Sequence, residues 1–175
     1  MAISTRALEV SLVDQFLADQ KALFGNPPEF GGKRRGKQSS SWEAIWPIAN
    51  SLGIVESGQL RIVMAPSTDK PLTIAIIFNG NCIFRVDFVS DTIGHLNPWW
   101  AQSKGLPPRV SGPHVHEWAA NREHWLEQAG RDIPCRSGLP PQIRRFDQAL
   151  PWLAERTNLV LTPEQRQFQL PANLL

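Results

Sequence analysis

The run PLTIAIIFNGNCIFRVDFVS, residues 71–90, constrains the fold more than any other stretch of this chain. It places Asn79-Gly80 between two segments rich in β-branched and aromatic residues. A two-residue type I′ hairpin needs positive φ at both central positions, and Asn-Gly meets that need at least steric cost. On the first arm Leu72, Ile74, Ile76 and Phe78 share a face. On the second, Cys82, Phe84, Val86 and Phe88 share one face and Ile83, Arg85, Asp87 and Val89 the other, since strand residues alternate sides. The apolar faces belong to a core. The face bearing Arg85 and Asp87 is left open, or lies under the loop that follows.

Around this hairpin the expected architecture is α+β, a single antiparallel sheet of about four to five strands with helices on one face. Residues 59–66 read as a strand, Ser67–Lys70 as a turn and Pro113–Trp118 as another strand. Leu8, Leu12, Phe16, Leu17 and Leu23 form a helical stripe over 5–24 that stops at Gly25. A second helix is expected over 40–52, where Ser40-x-x-Glu43 has the form of a capping box and Trp42, Ile45, Trp46, Ala49 and Leu52 recur at helical spacing. Pro47 admits a kink there, or a strand over the first half. Residues 117–128 fit either a strand extension or a short helix. Phe146, Ala149, Leu150, Leu153 and Ala154 mark a last helix over 142–157, followed by a possible edge strand. Nothing marks a repeat or a boundary, so 1–175 reads as one domain. Residues 26–41 form a basic flexible linker in which Lys33, Arg34 and Arg35 are either solvated or contact phosphates.

Charge and composition exclude some classes. With 15 prolines and 12 glycines among 175 residues, long ordered loops are expected. A net charge of +2 argues against an acidic DNA mimic without identifying a nucleic-acid binder. Cys82 sits in an apolar run and Cys135 in a loop, which suits two free thiols in a reducing compartment. Arg6, Glu9 and Asp14 interrupt any apolar leader, and no stretch reaches the ~20 apolar residues of a membrane span. A soluble, cytoplasmic protein without a membrane partner is the expectation.

The chemistry-bearing stretch is GPHVHEW, residues 112–118. On a strand His114 and His116 point the same way, as Arg85 and Asp87 do on theirs. If those strands are neighbours, four polar side chains form one patch, and the long loop 91–112 brings His95 and Asn97 near it. Arg85, Asp87, His95, Asn97, His114 and His116 are therefore the candidate site. Trp99 and Trp100, with Arg109, are candidates to stack on bases or fill a partner's groove. The alternative is that they cap the core beneath their own loop.

Several uses of the patch stay open. Neutral histidines beside Arg85 supply the general base, general acid and charge stabiliser of a metal-independent endoribonuclease. Three imidazoles can hold zinc with an open position, with a carboxylate orienting one of them, although no four-ligand spacing appears and no cofactor is implied by a motif. The histidines can also simply hydrogen-bond across the sheet and pin the loop. No phosphate-binding glycine loop and no Gly-x-Ser-x-Gly elbow is present.

The order Arg85-x-Asp87, His95-x-Asn97-Pro98, Pro113-His114-x-His116 resembles that of an uncharacterised family of small bacterial and phage-borne proteins, over roughly residues 70–160. The chain departs from it in a longer loop carrying Trp99-Trp100 and Leu106-Pro107-Pro108, and in its basic N-terminal linker. The resemblance implies a setting among mobile elements, toxin–antitoxin loci and defence or counter-defence genes. The leading functional expectation is a small interaction protein of that kind, acting on a host protein or ribonucleoprotein through the tryptophan loop and the histidine face. RNA or DNA is a further possible partner.

Overall fold

A computed structural model describes residues 5–35, 39–65, 71–128 and 132–171. The expected hairpin is its centre: β5 (Leu72–Phe78) turns through Asn79 and Gly80, both at positive φ (48° and 75°), into β6 (Asn81–Phe88). The sheet around it is larger than expected. In chain order it adds β1 (Lys21–Leu23), β2 (Gly31–Arg35), β3 (Ser39–Asn50) and β4 (Val55–Met64). Beyond the hairpin come β7 (Gly94–Leu96), β8 (Arg109–Ser111), β9 (His114–Glu117), β10 (Ser137–Gly138) and β11 (Leu159–Val160). Among the described residues nine strands join one sheet in the order β10-β9-β6-β5-β4-β3-β1-β11, with β2 also on β3; β7 and β8 pair separately. The pairing of β1 with β11 is parallel, so the sheet is mixed. This corrects the expectation of four to five antiparallel strands.

The extra strands come from segments whose local signals pointed elsewhere. Of residues 40–52, 40–50 belong to the long strand β3 rather than to a helix, and Ala44, Trp46 and Ile48 alternate into the core. The helical spacing of the tryptophans was coincidental to that period of two. Pro47 would have broken a helix interior. In the strand its missing N–H faces the outer edge, in the gap between β2, which pairs with 39–43, and β1, which pairs with 48–50. Its carbonyl there accepts from Phe24 N (2.8 Å). Five residues of the expected linker 26–41 are β2, Gly31–Arg35, which pair with Glu43–Ser39, and 39–41 already belong to β3. The expected turn Ser67–Lys70 lies outside the described residues.

The first helix, α1 (Thr5–Ala18), is shorter than predicted because its last carbonyls are taken by later residues. Lys21 Nζ donates to Leu17 O (3.5 Å) and Asn158 Nδ2 to Ala18 O (2.6 Å). Residues 117–128 resolve into α2 (Trp118–Asn121) and a 3₁₀ turn, Trp125–Glu127. The chain ends with α3 (Phe146–Arg156) and α4 (Pro163–Arg166). The apolar stripes of α1 (Val13, Phe16) and α3 (Phe146, Leu150, Leu153) meet one sheet face at Ile62, Ile74, Ile76, Phe84, Val86 and Val115. Phe16 stacks on Phe78 at 4.2 Å, and a Cβ on Gly58 would come within 2.7 Å of the Phe16 ring. Only glycine admits that approach.

At the β6–β9 end the opposite face is covered as well. The loop 91–112 has structure of its own, β7, a 3₁₀ turn (Trp99–Lys104) and β8, and forms a flap. Asn97 fastens it: its Nδ2 donates to Pro107 O (2.7 Å) and Arg136 O (2.8 Å), and its Oδ1 accepts from Arg136 N (2.8 Å). Trp100, Ala101 and Cys135 make a small second core beneath the flap. Both cysteines are free. No helix among the described residues is long and apolar enough to cross a membrane.

Candidate functional site

The β6–β9 pairing sets Asp87 opposite His114 and Arg85 opposite His116. Directly paired residues share a face, so all four side chains converge on the side away from the core. A shift between Ile76 and Ile77 makes Thr73 the β5 partner of Asp87. Thr73 Oγ1 donates to Asp87 Oδ1 (2.7 Å), and Arg85 Nε donates to Asp87 Oδ2 (3.0 Å). His114 and His116 are 0% exposed and Asp87 is 1% exposed, so this polar cluster is as dry as the core behind it.

Hydrogen bonding fixes which nitrogen of each ring carries its proton. His114 Nδ1 lies 2.8 Å from Gly112 O, and His116 Nδ1 lies 2.6 Å from Ile133 O. A carbonyl only accepts, so both Nδ1 atoms are N–H donors, and an uncharged ring held this way carries its lone pair on Nε2. Those lone pairs face the same carboxylate oxygen: His114 Nε2 is 3.5 Å and His116 Nε2 3.4 Å from Asp87 Oδ2. Burial is the first cause that holds His116 low, at about 4, with Asp87 opposing and the charge of Arg85 adding to the depression. At neutral pH that ring is uncharged. Arg85 Nη2 donates to His116 Nε2 at 3.0 Å, whereas His114 Nε2 is buried with no hydrogen-bond partner among the described residues.

Two lone pairs aimed at a carboxylate repel it unless something positive lies among them; Arg85 supplies that charge to Asp87 and His116, and leaves His114 Nε2 unanswered. Asp87, His114 and His116 offer three ligand atoms within 4.8 Å of one another. A tetrahedral ion about 2.1 Å from each ligand holds the ligands about 3.4 Å apart, close to the 3.5 and 3.4 Å that separate the two histidines from Asp87. The backbone carbonyls on both Nδ1–H groups are the supports that metal-bound histidines commonly have.

The other expected site residues divide. His95, on β7, has its ring 5.1 Å from that of His114, so it borders the cluster without belonging to the three. Asn97 is the flap's fastener rather than a member of the patch. Trp100 is buried and packs on His124 at 4.1 Å, while Trp99 is 84% exposed on the flap. Arg109 lies over Gly94, where a Cβ would meet its guanidinium. Lys33, Arg34 and Arg35 belong to β2, and β3, β4 and β5 separate them from β6. Thr73, Asp132 and Arg136 complete the site and were not anticipated. Asp132 Oδ1 lies 3.7 Å from Arg85 Nη1.

Comparison of the chain with protein-family models, curated proteins and solved structures finds no match.

Proposed function

We propose that this chain is a metal-binding protein whose centre is Asp87, His114 and His116, and that it takes a divalent transition ion suited to imidazole and carboxylate ligands, such as zinc. The observation that carries this reading is the buried, unpartnered Nε2 of His114, aimed with that of His116 at Asp87 Oδ2. Three protein ligands leave a coordination position open, which is the pattern of reactive rather than purely structural centres. Binding requires Arg85 Nη2 to leave His116 Nε2, so Arg85 competes with the ion.

The test is equilibrium binding of zinc to protein stripped with a chelator, together with the metal content of the protein as purified. One tightly bound equivalent is expected, lost in His114→Gln and His116→Gln. Arg85→Gln should tighten binding about tenfold, because it removes a competing donor and a like charge. Stripped protein that takes up no zinc, or takes it up equally in both histidine variants, would remove the proposal.

The metal-independent ribonuclease reading is less well supported, because a fully buried imidazole cannot reach a 2′-hydroxyl while the flap is closed. An interaction role keeps one specific observation in its favour. Trp99 (84% exposed) and Leu96 (71% exposed) leave apolar surface on the flap itself. For that reading Trp99→Ala should abolish retention of a host partner without changing the protein's metal content.

A further inference from the structure

We propose that Arg85 and Arg136 form a binding site for an oxyanion, a phosphoryl or carboxylate group, at the mouth of the buried cluster. The proposal does not depend on a metal.

The geometry begins with register. Arg85 pairs with His116 on β9, and Ser137 of β10 pairs with Val115. Arg136 directly precedes Ser137, so it falls opposite His116 on the other flank. Arg85, His116 and Arg136 therefore make one row of residues across β6, β9 and the start of β10. Arg85 is 22% exposed and is the member of the Arg85–Asp87–His114–His116 group that reaches solvent.

The two arginines differ in how they are satisfied. Arg85 is held by Asp87 and approached by Asp132. Arg136 is half-buried, and its guanidinium has one hydrogen bond, Nε to Pro134 O at 3.2 Å, with no ion-pair partner among the described residues. Burial, and next the charge of Arg85, disfavour its charged form, which Asp87 and Asp132 offset only from a distance. An arginine stays protonated, so a half-buried one without a carboxylate retains several unused donors beside a second positive charge. That is unfavourable for folding and well suited to an anion. Guanidinium forks match the paired oxygens of phosphoryl and carboxylate groups, and such charge-assisted bonds are the strong ones. The Asn97 clamp, which takes both the N–H and the C=O of Arg136, fixes the backbone from which that fork projects.

Chelator-treated protein in a chloride buffer, titrated with inorganic phosphate and separately with acetate by calorimetry, tests the site. Saturable binding of one equivalent of either anion is expected, and the stronger of the two identifies the headgroup class. Arg136→Gln should weaken it about 10- to 100-fold, the worth of one hydrogen bond to a charged group. Wild-type protein provides a second readout that needs no variant. Phosphate or acetate should slow modification of Arg136 by phenylglyoxal, followed by peptide mass spectrometry, and leave exposed Arg144 reacting as before. Absence of saturable binding, equal binding in Arg136→Gln, or unprotected Arg136 would each overturn the proposal.

Discussion

Strands β6 and β9 present two faces that are equally dry and chemically opposite. On one, Phe84, Val86 and Val115 pack against the helices; on the other, Asp87, His114 and His116 lie beneath the flap. The apolar face is stabilised by the area it removes from water and by close packing. The polar face must instead satisfy every donor and acceptor it buries, and any left over is costly. It nearly succeeds: Thr73, Arg85, Gly112 and Ile133 account for most of its groups. The lone pair of His114 Nε2 is the remainder. A core is explained by folding alone. A polar pocket of this dryness with one lone pair unanswered is better explained by what it binds.

The largest expected difference between the faces comes from truncation. Phe84→Ala should cost about 3–5 kcal/mol through lost burial and a residual cavity, read as a lowered denaturation midpoint. His114→Gln in metal-free protein should cost far less, because the ring it removes was incompletely satisfied. Equal losses would mean that the cluster is only a second core.

Acid should weaken the polar face selectively. The native His116 ring stays neutral down to about 4, whereas the unfolded chain protonates near 6.5. Between those values the unfolded state holds a proton that the folded state refuses. Stability is therefore intact above pH 6.5 and declines as pH falls toward 4, by about 3 kcal/mol in all. Denaturant melts of metal-free protein across that window should show the decline, and His116→Gln should flatten it. An unchanged slope in the variant would move the titration elsewhere.

The smallest effect is expected at the edge of the flap. Asn97→Ala removes two hydrogen bonds that join the flap to residue 136 and one within the flap, to residue 107, at a cost of about 1–3 kcal/mol. Amide exchange should quicken in β7 and β8 and leave β5 unaffected. Faster exchange throughout the sheet would show that the flap and the core do not open separately.

The two faces were not equally legible in the sequence. Asn79-Gly80 announced the hairpin, and period two grouped Arg85 with Asp87 and His114 with His116. A strict two-residue hairpin, however, would set Asp87 opposite Leu72 rather than Thr73. The shift between Ile76 and Ile77, with Ile83 as the extra residue, reconciles both apolar faces with one core. The demand that both arms bury their apolar sets already required it. The helix expected at 40–52 failed because Trp42, Ile45, Trp46 and Ala49 fit a 3.6-residue period by accident, and Pro47 was the more informative residue. Arg136 carried no local signal, since its neighbours in sequence form a loop and its place beside His116 arises only when β10 closes on β9. Trp99 and Trp100 were read as a pair, yet the 3₁₀ turn sends one inward and one out.

The proposed centre needs two Nδ1-protonated histidines that hold their Nε2 lone pairs on Asp87, ready for a divalent ion. Long-range proton–nitrogen NMR of the imidazoles, in stripped protein and then with one equivalent of zinc, tests it most directly. Proton-bearing Nδ1 and bare Nε2 signals are expected for both His114 and His116, with zinc shifting the Nε2 signals and leaving both Nδ1 protons in place. A protonated Nε2 on either ring in the stripped protein, or Nε2 signals that zinc does not move, would contradict it.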